Sequence, residues 1–341
     1  MKRDLLILSA LLCCAMITMY ILAKGAEPDR IFTGHKRSYD RFTLQAIDTV
    51  LFPGRVSIMK AVQGNVYGYV YSKKAIFRYN TNLHQIDSFF TNSIVPLEIV
   101  TRLEIDTNTQ TFYLFDDIGK KITTYQPGTG KLDIIIYPDT STIRLYKNVY
   151  QTAYLRTSFD TSKKVAQLKL RNFNAPAQDS TLYEFPRFED GGLSADGFYI
   201  RNVPSRNHFY IQFYNSGIIR YDEEHNSIQL MYTIDQTPPS NIAVPTGNIY
   251  TRSSKSIIVN STATADDQYL YILSYVLSED ALASNYRGPA VDVYNVKNGH
   301  YQGSFRFPGY QNKPVLQLAK CADTLMAAYE NNILLFKLTS K

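Results

Sequence analysis

One arrangement recurs along this chain and limits what it can fold into. An aromatic-rich run is followed by a short polar turn and a second run that closes near an aromatic or apolar residue. It occurs in Val66–Asn80 (VYGYVYSKKAIFRYN), Thr111–Gln126 (TFYLFDDIGKKITTYQ), His208–Asp222 (HFYIQFYNSGIIRYD) and Thr324–Leu338 (TLMAAYENNILLFKL). Short alternating runs joined by polar turns are the pattern of antiparallel, half-buried strands. Turn signals at Pro53-Gly54, Pro127-Gly128, Gly191-Gly192, Pro238-Pro239 and Pro308-Gly309 separate the apolar runs, as short strands require. No extended helical period follows residue 40. The aromatic balance of 27 Tyr, 18 Phe and no Trp suits pleated surfaces, where the tyrosine ring is buried and its hydroxyl stays wet.

The residues closing the third strand of each unit align as Tyr79, Tyr125, Leu170, Tyr221, Tyr294 and Phe336, spaced about 46, 45, 51, 73 and 42 residues apart. These are blade-sized repeats once one insertion is allowed. Fourth strands are expected at Gln85–Phe90, Leu132–Tyr137, Thr181–Phe185, Ile228–Ile234 and Tyr301–Phe307. The last unit lacks one, while the strand-like Phe42–Ile47 stands ahead of the first full unit without a partner. Pairing that segment into the last unit closes a ring and hides sheet edges that invite aggregation. The expected fold is all-β, a six-bladed β-propeller over residues 41–341. A β-sandwich is the alternative, and it leaves the blade-length period unexplained.

The run Phe112–Lys131 (FYLFDDIGKKITTYQPGTGK) reads as strand, Asp, turn, strand and Gly-Lys. It resembles the repeats of the six-bladed propeller superfamily that includes the NHL-repeat and TolB-like proteins. Val66–Asn80 and His208–Asp222 are weaker versions. The resemblance covers about residues 40–341 as architecture. It implies a ligand site at the central channel, and it is compatible with scaffolds, binders, lyases and metal-dependent hydrolases alike. With the N-terminal signal described next, it suggests a bacterial envelope protein of the Bacteroidetes type.

Lys2 and Arg3 precede an apolar run from Leu5 to Ala23, broken by Ser9 and Thr18. A basic flank and a run of about 19 residues are the signature of an export signal long enough to span a bilayer. Residues 1–25 are read as a signal peptide or a signal-anchor helix. Ala23-Lys24-Gly25 offers a cleavage site, so both forms stay open. Residues 26–40 are read as a linker, with His35–Arg41 (HKRSYDR) as a solvated basic stretch. The expected location is extracytoplasmic, either membrane-anchored or secreted into the periplasm. The membrane is then a partner through the N-terminal segment.

The net charge of +6 is spread over 36 basic and 30 acidic residues without an extended basic stripe, which argues against nucleic acid as a partner. Cys13 and Cys14 lie in the apolar run. Cys321 alone falls in the globular part, so no disulfide framework or thiolate zinc site is expected. The histidines His35, His84, His208, His225 and His300 form no metal-binding spacing, and Ser194 in GGLSADG lacks the strand–turn–helix context of a nucleophile.

Two long insertions, Ser278–Gly288 and the Pro-rich Asp235–Ser256, fall on the face built from second-to-third-strand turns and blade links. Long loops on a closed scaffold carry function more often than their length alone would suggest. They supply Tyr286, Arg287, Tyr250 and Arg252, residue types that anchor interfaces. Lys120 and Arg156 are expected as further basic contributors. The leading expectation is a binding or scaffold module with a protein or small-molecule ligand of the cell envelope at the channel face, no catalytic residues and no cofactor. The alternative is a metal-dependent hydrolase or lyase. It would hold a divalent cation such as calcium in the channel, with Asp116, Asp190 and Asp267 as the candidate ligands.

Overall fold

A computed structural model describes residues 12–19, 31–80, 85–90, 100–106, 109–116, 121–136, 142–147, 153–172, 175–202, 206–247, 249–254 and 256–341. Its strands form six four-stranded antiparallel sheets. Blade one comprises Val56–Val62, Asn65–Val70, Ala75–Asn80 and Gln85–Phe90, and blade two Arg102–Asp106, Thr111–Asp116, Lys121–Gln126 and Lys131–Ile136. Blade three comprises Thr142–Lys147, Ala153–Asp160, Val165–Asn172 and Ala175–Glu184, and blade four Gly197–Asn202, Asn207–Gln212, Gly217–Asp222 and Ser227–Tyr232. Blade five comprises Asn260–Ala265, Tyr269–Ser274, Ala290–Asn295 and Tyr301–Arg306. Blade six takes Gln317–Cys321, Thr324–Tyr329 and Asn332–Ser340, and its outermost strand is Phe42–Leu51.

That last pairing is the closure expected from sequence. Phe42 opposes Ser340 and Leu51 opposes Asn332, with a bulge between Ala46 and Asp48. The bulge turns Ile47 outward, which makes the free edge a poorer template for another strand. All six third-strand residues aligned from sequence fall in the third strands of their blades.

The core lies in the seams between blades. Phe42, Val291, Phe305, Phe307, Leu325 and Phe336 fill the seam of blades five and six. Phe52, Val66, Phe77, Met326 and Leu335 fill that of six and one. Tyr69, Ile76, Leu103 and Leu114 join blades one and two, and Leu168, Tyr199 and Tyr210 join three and four. Because each blade buries both faces, its second strand carries apolar residues without strict alternation. Asn207–Gln212, the second strand of blade four, is buried along its whole length.

Two features depart from the sequence reading. The Pro-rich link 235–256 contains a hairpin, Ala243–Thr246 against Ile249–Arg252. The segment read as solvated linker is packed on blade five from residue 31 onward. Ser304 N donates to Ser38 O at 2.7 Å, which covers the outer edge of that blade. Arg37 is only 6% exposed, because its guanidinium enters the blade to meet Asp292. Among the described residues, which include a short helix at 12–19, no helix is long and apolar enough to cross a membrane.

Candidate functional site

Among the described residues, the first strands of blades one, two, four, five and six line an axial channel. A cavity of about 720 Å³ runs from Arg102, the first residue of its strand, to the turn residues Gly64, Asp267 and Ala322. It therefore reaches the face of first-to-second-strand turns, opposite the long loops on which sequence reasoning placed the site.

Charged side chains from several blades meet along this channel. Lys60 of blade one and Glu104 of blade two form an ion pair at 2.9 Å, and Glu104 Oε1 accepts a second contact from the same ammonium at 3.1 Å. The Glu104 side chain is only 6% exposed. Arg201 of blade four lies 3.9 Å from Glu223, whose carboxylate accepts a hydrogen bond from Nε2 of His208. Burial holds the His208 imidazole below its usual pKa, outweighing the opposite pull of Glu223, so the neutral ring donates from Nε2. Lys320 of blade six lies 3.7 Å from Asp266 of blade five and 5.9 Å from the Tyr271 ring centroid. Burial lowers its pKa against the raising effect of Asp266. The Arg102 guanidinium stacks on Phe115 at 4.1 Å and reaches toward Tyr199 of blade four at 5.9 Å.

Such pairs are costly to desolvate, and apolar residues of equal volume would pack at least as stably. Their concentration around one cavity gives it directional hydrogen-bond donors and acceptors in a low-dielectric setting. That lining can orient a small polar or charged ligand.

The loop residues singled out from sequence lie elsewhere. Tyr250 and Arg252 are exposed on the hairpin. Tyr250 rests over the Gly191 turn, and Arg252 donates to the Tyr214 hydroxyl at 3.4 Å. Tyr286 is half-buried, and its hydroxyl lies 2.7 Å from Phe307 O and 2.9 Å from Pro289 O, with one proton to share between the two carbonyls. These contacts latch its loop against blade five. Arg287 beside it is exposed. Arg156 is 2% exposed within the second strand of blade three, so it is not a loop-face contributor. Lys120 and His84 lie outside the described residues.

The three candidate metal ligands do not converge. Asp116 is buried at the end of its strand with Lys121 at 3.7 Å. Asp190 accepts bonds from the backbone N–H of Gly192 and from the N–H and hydroxyl of Ser194. Asp267 sits at the channel mouth on the opposite face. No group of three or more His, Cys, Asp or Glu able to hold a metal occurs among the described residues. Sequence reasoning missed Lys60, Glu104 and Arg201 because they are scattered in first strands with no shared spacing.

No protein-family model matches the sequence, and no curated protein matches it either. Solved structures do match. A member of the DUF4221 family from Bacteroides vulgatus is similar with a TM-score of 0.57 at 12% identity, over 89% of this chain and 99% of that one. A protein of unknown function from Bacteroides thetaiotaomicron gives 0.51 at 8% identity, over 91% of this chain and 75% of that one. A streptogramin B lyase gives 0.47 at 11% identity, over 90% of this chain and all of the other. At these identities the likeness is one of architecture. The sheet order identifies the fold as a six-bladed β-propeller, and in architecture it is similar to the two Bacteroides proteins.

Proposed function

We propose that this chain is an extracytoplasmic binding module whose ligand, a small polar or charged molecule, enters the axial channel. The observation that carries the reading is the cavity of about 720 Å³ ringed by Lys60, Arg102, Glu104, Arg201 and Lys320. Retaining ionisable side chains there, in place of apolar packing, makes sense where a ligand needs them. The location rests on Lys2, Arg3 and the apolar run to Ala23, which read as a signal or anchor helix.

The test is thermal unfolding of the full chain with carboxylates, phosphates and amino acids added singly. A ligand held only by the folded state stabilises it by about 2.7 kcal/mol at a hundred times its Kd. A saturable rise in Tm that is lost in Arg201→Ala supports the channel. A rise left intact by Arg201→Ala and Lys60→Ala places the ligand elsewhere. Protease added to spheroplasts with an intact inner membrane checks the location, and digestion only after that membrane is broken overturns it.

A further inference from the structure

Resting on the export and tether reading above, we infer that the loop face of the propeller is apposed to the surface of an anionic lipid bilayer. This is the face of second-to-third-strand turns and blade links.

The first observation is where the N-terminal segment leaves the domain. Leu277 N donates to Ile31 O and Glu279 N donates to His35 O, both at 2.9 Å. Phe32 forms a parallel bridge with Leu277. These contacts clamp the segment on the loop that follows the second strand of blade five. Residues 24–30 separate the clamp from Ala23, where the apolar run ends. Even fully extended they span no more than roughly 25 Å. A membrane that takes up the run therefore lies within reach of this face, with the opposite face a strand length, roughly 17–20 Å, farther off.

The second observation is charge. Lys73 and Lys74 on blade one, Lys164 on blade three, Arg187 and Arg252 on the next two links and Arg287 on blade five are all exposed on this face. Several acids of the same face are already engaged by other bases. Glu184 lies 2.9 Å from Lys163, Glu330 2.8 Å from Lys313 and Glu279 3.4 Å from Lys36. On the opposite face, exposed Glu224, Asp267 and Asp323 balance Arg206, Lys297 and Lys341.

The third observation is the apolar tips among those cations. Tyr71, Val244 and Tyr250 are 44–45% exposed and Leu282 is 37% exposed. They stand on three separate loops, with Val244 and Tyr250 sharing the hairpin of the link between blades four and five. A protein interface gathers such residues into one patch, whereas separate aromatic and basic tips suit a planar headgroup layer. Tyrosine partitions to that depth, and Lys and Arg are attracted to anionic lipid within a Debye length.

The experiment uses the full chain lacking Cys13, Cys14 and Cys321, reconstituted into vesicles containing phosphatidylglycerol. An environment-sensitive fluorophore is attached at Thr161→Cys on the loop face or Gly128→Cys on the opposite face, with headgroup-nitroxide lipid as quencher. Strong quenching at position 161, weak quenching at 128 and loss of the difference in high salt support the proposal. So does equalisation of the two labels after Lys73→Glu, Lys74→Glu, Arg252→Glu and Arg287→Glu together. Equal quenching at both positions in the parent chain overturns it while leaving the tether intact. Unequal quenching that persists in purely phosphatidylcholine vesicles overturns the electrostatic basis. A chain that fails to stay with vesicles of either lipid overturns the tether reading itself.

Discussion

Arg37 and Asp292, far apart in the sequence, form a two-pronged ion pair inside blade five. Nε and Nη2 of Arg37 lie 2.7 and 3.0 Å from the two carboxylate oxygens of Asp292, and both side chains are essentially out of water. The arginine also donates to Val276 O at 2.9 Å, and Ser304 Oγ donates to Asp292 at 2.6 Å. With its hydrogen-bonding groups so engaged, the pair fixes the segment before the closing strand.

Arg37→Ala leaves Asp292 buried without its countercharge. The expected loss is about 3–5 kcal/mol, measured by urea unfolding of the full chain. Arg37→Met with Asp292→Leu removes both charges and restores much of that loss. A double variant no more stable than Arg37→Ala would show that the geometry of the segment, rather than the stranded charge, sets the cost.

Phe42→Ala tests ring closure. Phe42 is 3% exposed and meets Tyr269 edge to face at 5.6 Å, in the seam of blades five and six. A cavity of this kind costs about 3–5 kcal/mol. Thermal unfolding is expected to shift down, with earlier proteolytic cutting in residues 31–51. A shift below one degree would show that the strand contributes little.

Stability is expected to fall as pH drops from 7 toward 5. Burial lowers the folded-state pKa of His208, and His35 is lowered in the same direction. Below the ordinary histidine value the unfolded chain takes up protons that the folded chain refuses, so acid favours unfolding down to each lowered pKa. One such site contributes a slope of up to about 1.4 kcal/mol per pH unit. His208→Gln keeps a donor for Glu223 and is expected to flatten the urea midpoint against pH. An unchanged slope would assign the effect to other groups.

Lys60→Met with Glu104→Leu separates stability from binding. Replacing a buried pair by packed apolar residues is neutral or stabilising by about 1–4 kcal/mol. The double variant is expected to unfold at equal or higher urea concentration and to lose the ligand-induced rise in Tm. Retention of that rise would remove the pair from the site.

The blades were legible because each strand carries its own signal: Tyr79, Tyr125, Tyr221 and Tyr294 each close a third strand with a buried ring. The closing strand was legible because Phe42–Ile47 had no neighbour to pair with. The burial of Arg37 was hidden, since local composition around it reads as solvent-facing and its partner belongs to a distant blade. The channel was hidden for a related reason. Lys60, Glu104 and Arg201 become neighbours only when first strands from separate blades meet around the axis.

The pairing of Phe42 with Ser340 also orders events in time. The closing strand emerges early in synthesis, and its hydrogen-bonding partner, Asn332–Ser340, emerges only after all the other blades. Bringing such distant segments together carries a loop-closure entropy that local hairpins escape. Blades one to five can therefore gain structure before the ring shuts, and the joint between the two ends is expected to govern how long the nascent domain stays open.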